Sequence, residues 1–131
     1  MNRRHFLVFA SLFAFVVTTS AHAQDGVDQH GKLRFPATGD SKGKIVLVAG
    51  DEEYRSEESM PMLAKLLSVK HGFDCVVIFA MSEDGTYIDP NNQAGVVGWS
   101  ELDDADLMII GTRFRKPSAS QAKHITGFIN D

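Results

Sequence analysis

Two short stretches hold most of the side chains able to do chemistry. The first is Asp51-Glu52-Glu53-Tyr54-Arg55-Ser56-Glu57-Glu58, which follows the apolar run Lys44–Ala49 and Gly50 directly. The second is Gly111-Thr112-Arg113-Phe114-Arg115-Lys116, which follows the apolar run Leu107–Ile110. Carboxylates accept hydrogen bonds from hydroxyls, guanidinium groups donate in pairs to ligand oxygens, and aromatic faces stack. A cleft with acids on one wall and bases on the other suits a polar, oxygen-rich ligand such as a sugar or an organic acid. Asp51, Glu52, Glu53, Tyr54, Arg55, Arg113, Phe114 and Arg115 are therefore the candidate binding residues. A plainer outcome uses the same groups: Arg113 or Arg115 pairs with Glu52 or Glu53 and ties the loops together. No nucleophile or general base stands out. Glu57 and Glu58 are explained as first-turn acids that complement a helix dipole. Asp51, Glu52 and Glu53 have the oxygens for a hard cation, but three consecutive side chains do not all point one way. No metal and no cofactor is assigned.

These stretches form one site only if the intervening elements bring them together. Ile45–Ala49, Cys75–Ala80 and Leu107–Ile110 are continuous apolar runs without alternation, the pattern of strands buried on both faces of a parallel sheet. Between the first two, Met60, Leu63, Ala64, Leu67 and His71 recur at helical spacing. Pro61 must lie early in that helix, which places its start near Glu57–Ser59 with Ser56 or Ser59 as N-cap, and Gly72 ends it. After the third run, Ser118-x-x-Gln121 has capping-box spacing, and Ala122, Ile125, Phe128 and Ile129 share a helix face. His124 falls off that face and reads as a surface residue. Glu83–Ser100 reads as a long loop, and Glu101–Asp106 as a short helical turn.

The order β-α-β-loop-β-α predicts an α/β fold with a parallel sheet and right-handed crossovers. In a flavodoxin-type sheet the strand order begins 2-1-3, so the loops after the first and third runs flank the point where the order reverses. Ligands bind there in open α/β sheets. Leu107–Ile110 is too apolar for an exposed edge, and three strands make a thin domain. The sequence thus reads as a domain cut off after its third strand and the following helix.

The flanking composition bounds the partners. Met1–Arg4 is basic, Phe6–Val17 is apolar, and Ala21-His22-Ala23 places small residues at −3 and −1 of a cleavage site before Gln24. Residues 1–23 therefore read as a signal peptide, routed by Sec or, from Arg3-Arg4, by the twin-arginine path. The predicted location is the periplasm or beyond. An apolar run of twelve residues is too short for a stable membrane span. Residues 24–43 read as a flexible polar lead, with Leu33 and Phe35 available to pin it to the body. Removing residues 1–23 takes away Arg3 and Arg4, leaving 11 basic against 17 acidic side chains, a net charge of −6. Such a chain is a poor partner for nucleic acid. The lone Cys75 excludes an internal disulfide and reads as a buried small hydrophobe. The sequence leaves the oligomeric state open. A P-loop, a G-x-G-x-x-G turn and a G-x-S-x-G elbow are all absent from the sequence.

Four blocks taken in order are more specific than any of these features. They are KIVLVAGDEEYRSEE (Lys44–Glu58), MLAKLL with HGF (Met62–Leu67, His71–Phe73), DGTYIDPNN (Asp84–Asn92) and LDDADLMIIGTRFR (Leu102–Arg115). Together they resemble the ThuA-like (trehalose utilisation) family, over residues 44–131. The resemblance implies a class I glutamine amidotransferase-like fold, a flavodoxin-like three-layer sandwich, and a role in sugar metabolism. It also implies that such a domain continues past Asp131. The family's pocket loops carry over onto Asp51–Ser56 and Arg113–Arg115. Many relatives place a histidine just after the aromatic-basic pair of the first loop. Ser56 stands there in this chain, which counts against metal binding or acid/base chemistry from that loop.

Overall fold

In the computed structural model, residues 27–28 and 30–130 are described. The signal-peptide reading of residues 1–23 lies outside them. Strands β1 (Lys32–Phe35), β2 (Lys44–Gly50), β3 (Asp74–Phe79) and β4 (Leu107–Thr112) form one sheet in the order β1-β3-β2-β4. Helix α1 (Ser56–Leu66) joins β2 to β3, and helix α2 (Ala119–Asn130) follows β4.

The three apolar runs form the parallel core of this sheet. Ile45 to Ala49 pair with Cys75 to Phe79 on one side and with Leu107 to Gly111 on the other. Alternation along β2 and β3 builds two cores. Ile45, Leu47, Ala49, Cys75, Val77 and Phe79 pack beneath α1 with Ala64. Val46, Val48, Val76 and Ile78 pack on the opposite face with Trp99, Leu102, Ile125 and Phe128. Each fully buried Val, Leu, Ile or Phe stabilises the fold by roughly 1.5–3 kcal/mol, which is why charge-free strands were written at these positions.

The sheet is mixed and not wholly parallel. Within the predicted polar lead, Lys32–Phe35 forms β1 and runs antiparallel to β3, from Lys32 opposite Ile78 to Phe35 opposite Cys75. Its period of two sends Leu33 and Phe35 to the α1 core and Lys32 and Arg34 to the other face. Four residues are too few for that alternation to stand out in a polar sequence.

Helix α1 starts at Ser56, and neither Ser56 nor Ser59 caps it. The N-cap is Arg55, in left-handed backbone (φ 52°, ψ 50°), with no side-chain cap bond. Ser56 Oγ instead accepts from the N–H groups of Gly50 and Asp51, at 2.9 and 2.8 Å. The helix runs on through a π-helical turn (Leu67–His71) to Gly72, whose φ of 76° is the predicted helix stop. The helical turn predicted at Glu101–Asp106 is a 3₁₀ helix two residues earlier, at Trp99–Asp104, and Ala105 is already extended. Ser118 and Gln121 cap α2 reciprocally: Ser118 N–H donates to Gln121 Oε1 and Gln121 N–H to Ser118 Oγ. His124 lies at the surface as predicted, with 34% of its side chain exposed, and meets Asp103 at 2.6 Å, which ties α2 to the 3₁₀ helix.

Candidate functional site

The β3-β2-β4 order puts the reversal point between β2 and β4. The loops that leave those two strands meet, because the register continues to Gly50 opposite Thr112 and Arg113 N–H donates to Gly50 O. All eight predicted binding residues therefore lie at one end of the sheet.

Their roles separate. Asp51 is buried, and its Oδ1 accepts from the N–H groups of Glu53 and Tyr54, both at 2.8 Å. With Ser56 it folds the loop into its sharp turn. The Arg115 side chain is 7% exposed. It donates to the carbonyls of Arg113, Asn92 and Pro90 at 2.6, 3.0 and 2.9 Å. Its side chain crosses Gly50, where a Cβ would stand 3.2 Å from Arg115 Cδ and would press on that side chain. The DPNN stretch thus supplies the acceptors that hold Arg115, a partnership the sequence did not signal because the Glu83–Ser100 loop had no predicted docking point.

Arg113 spans the loops. It pairs with Glu53 and lies 3.7 Å from Glu52, which is also 3.6 Å from Arg115. The loop-tying outcome is realised for these four residues. Arg113 also sits over the Phe114 ring, 4.8 Å from its centroid. Arg55 turns to Glu58 and Glu57 on its own helix and does not reach across.

An exposed ledge remains. Tyr54 is 73% exposed and Phe114 64%. Next to Phe114, Arg113 keeps about a third of its side chain open. Arg55 and Phe114, one in each loop, are the non-glycine residues with positive φ among the described residues. Left-handed backbone costs an ordinary residue roughly 1–2 kcal/mol, and such strain concentrates where a loop's shape matters. Glu57 Oε2 is enclosed and has no hydrogen-bond partner among the described residues.

Nothing in the two loops is poised as a nucleophile. The Ser56 hydroxyl is buried and holds two backbone N–H groups. Cys75 is buried in β3, and burial, then the neighbouring Asp74 charge, pushes its thiol up to about 11. No histidine falls in residues 50–58 or 111–116. Among the described residues no three His, Cys, Asp or Glu side chains are grouped to hold a metal ion.

Two other features were not foreseen. A depression of ≈ 700 Å³ opens between Met81–Gly85, Asn92–Gly98 and the start of β1, lined by His30, Lys32, Glu83 and Ser100 among others. On the face away from α1, Glu101 is held by Lys32, Arg34 and Lys44 at 2.8, 2.7 and 3.0 Å. Burial pushes the Glu101 pKa up, but hydrogen bonds from Arg34, Lys32 and Lys44 together outweigh it and hold it at about 2. A glutamate set between the apolar Trp99 and Leu102 was the only sequence sign of this knot. No family model, curated protein or solved structure matches the chain.

Proposed function

We propose that the chain is an exported ThuA-like domain that binds a carbohydrate-type ligand in the crevice at the carboxyl ends of β2 and β4. The parallel β3-β2-β4 unit supports a flavodoxin-like, class I glutamine amidotransferase-like reading, with β1 added antiparallel at its outer side. The observation that carries the site is the pairing of two strained loops. The first has left-handed Arg55 next to the exposed Tyr54, the second has the exposed Phe114 itself in left-handed backbone, and both lie at the reversal point of the sheet. Tyr54 and Phe114 give the stacking faces that suit a sugar ring. Arg113, already desolvated on one side by Glu53 and Phe114, donates to ring or hydroxyl oxygens.

Binding without turnover is the reading the committed side chains favour, since Asp51, Ser56 and Arg115 are all spent on shaping the loops. The test is calorimetric titration of the full chain with a panel of mono- and disaccharides. Tyr54→Ala and Arg113→Ala should each weaken the best ligand by about tenfold, the equivalent of ~1.4 kcal/mol. Unchanged affinity in both variants would remove the ledge as the site.

A further inference from the structure

The stretch Asp89-Pro90-Asn91-Asn92 has turn chemistry, with Asp in the first place and Pro in the second. It folds as a turn: Asn92 N–H donates to Asp89 O at 3.1 Å, and Asn91 N–H to Asp89 Oδ1 at 3.0 Å. Both ends of the turn are fastened to the two residues that follow β3. Asp89 N–H donates to Ala80 O at 2.8 Å, and the Asn92 side-chain amide donates to Met81 O at 2.7 Å. Asn92 is closely enclosed there, since a Cβ on Gly95 would stand 2.7 Å from its Nδ2 and 2.3 Å from Met81 O.

The same turn grips the loop after β4 on both sides of Phe114. Arg115 donates to the carbonyls of Pro90 and Asn92 and turns its Nε back to Arg113 O. Lys116 N–H donates to Gln93 O at 2.8 Å. Phe114 lies between these anchors with φ at 51°. An ordinary residue keeps that left-handed backbone only where its surroundings over-determine it, and the anchors supply that constraint.

We infer that the Asp89–Gln93 turn is the brace that presents Phe114, and that Asn92 is its positioning residue. Asn92 acts through Arg115: its amide fixes the turn to the end of β3, and its carbonyl holds the guanidinium that holds Arg113 O. The effect extends to the other loop, because Arg115 also lies 3.6 Å from Glu52. The consequence for a sugar rests on the binding reading above; the brace itself rests on these bonds alone.

Asn92→Asp tests the brace, because the carboxylate keeps the acceptor that meets Ala94 N–H at 3.3 Å and loses the donor to Met81 O. Backbone NMR of the ligand-free full chain is the first readout. The Cα and Cβ shifts and the amide–Hα coupling of Phe114 should leave their left-handed values, with the amides of residues 44–49 unmoved. Arg115→Lys, which breaks the fork at the other end, should displace the same signals, and it decides the matter should Asn92→Asp not fold. Calorimetry is the second readout: Asn92→Asp should weaken the best disaccharide of the wild-type panel by about tenfold. Phe114 signals that keep the wild-type pattern in both variants overturn the proposal, even where the urea midpoint falls, since a merely structural Asn92 would do just that. Displaced Phe114 signals with unchanged sugar affinity, or with no sugar bound by the wild type, uphold the brace and count against the ledge.

Discussion

At the scale of single residues, the two loop arginines look alike in sequence and differ in structure. Arg115 is enclosed and satisfies three carbonyls, so Arg115→Ala strips acceptors that water reaches poorly. A loss of ~3 kcal/mol in unfolding free energy is expected from urea titration. Arg115→Lys should recover little of it, because one ammonium does not reproduce the fork that reaches Pro90, Asn92 and Arg113 together. Arg113 is partly exposed and its ion pairs are at the surface. Arg113→Ala should cost under ~1 kcal/mol of stability while weakening the ligand. That split between stability and binding separates a positioning residue from a contacting one. Glu101 makes the third case. Its folded pKa lies below its ordinary value of 4.5, so its contribution is fully present above about 4.5 and is lost as pH falls toward about 2. Glu101→Gln should flatten the acid limb of the stability curve. At neutral pH it should cost about 2 kcal/mol, less than the ~3–5 of a fully buried pair, because Arg34 is half exposed.

At the scale of elements, the sequence showed what repeats and hid what is isolated. The three strand cores were readable because runs such as Ile-Val-Leu-Val-Ala are charge-free over their whole length. The stop at Gly72 and the capping box at Ser118 and Gln121 were readable because single residue types dictate them. Ser118→Ala should therefore destabilise α2 by about 1 kcal/mol in thermal or urea unfolding. Strand β1 was hidden, since two inward residues among polar neighbours carry no period. The start of α1 was misassigned for a physical reason: Ser56 had two uses, and the end of β2 claimed its hydroxyl before the helix could. The candidate site was readable as a pair of loops, because strand order alone fixes which loops meet. The division of labour inside it was not, because it depends on carbonyls at Pro90 and Asn92 that only the folded backbone places.

At the scale of the whole molecule, the sheet is covered on both faces. The α1 face and the α2 face are both packed, and the described residues include no helix long and apolar enough to cross a membrane. The surface we propose for ligand binding is the carboxyl end of the sheet, where β2 and β4 release their loops. Two places compete for a small ligand: the ledge of Tyr54, Arg113 and Phe114, and the depression lined by His30, Lys32, Glu83 and Ser100. Backbone amide NMR of the full chain, titrated with a disaccharide panel, separates them in one measurement. The account predicts shifts clustered at residues 51–57 and 112–115, with the amides of β3 and α2 unmoved. Shifts clustered instead at residues 30–32 and 81–100, or no shifts with any sugar, would contradict it.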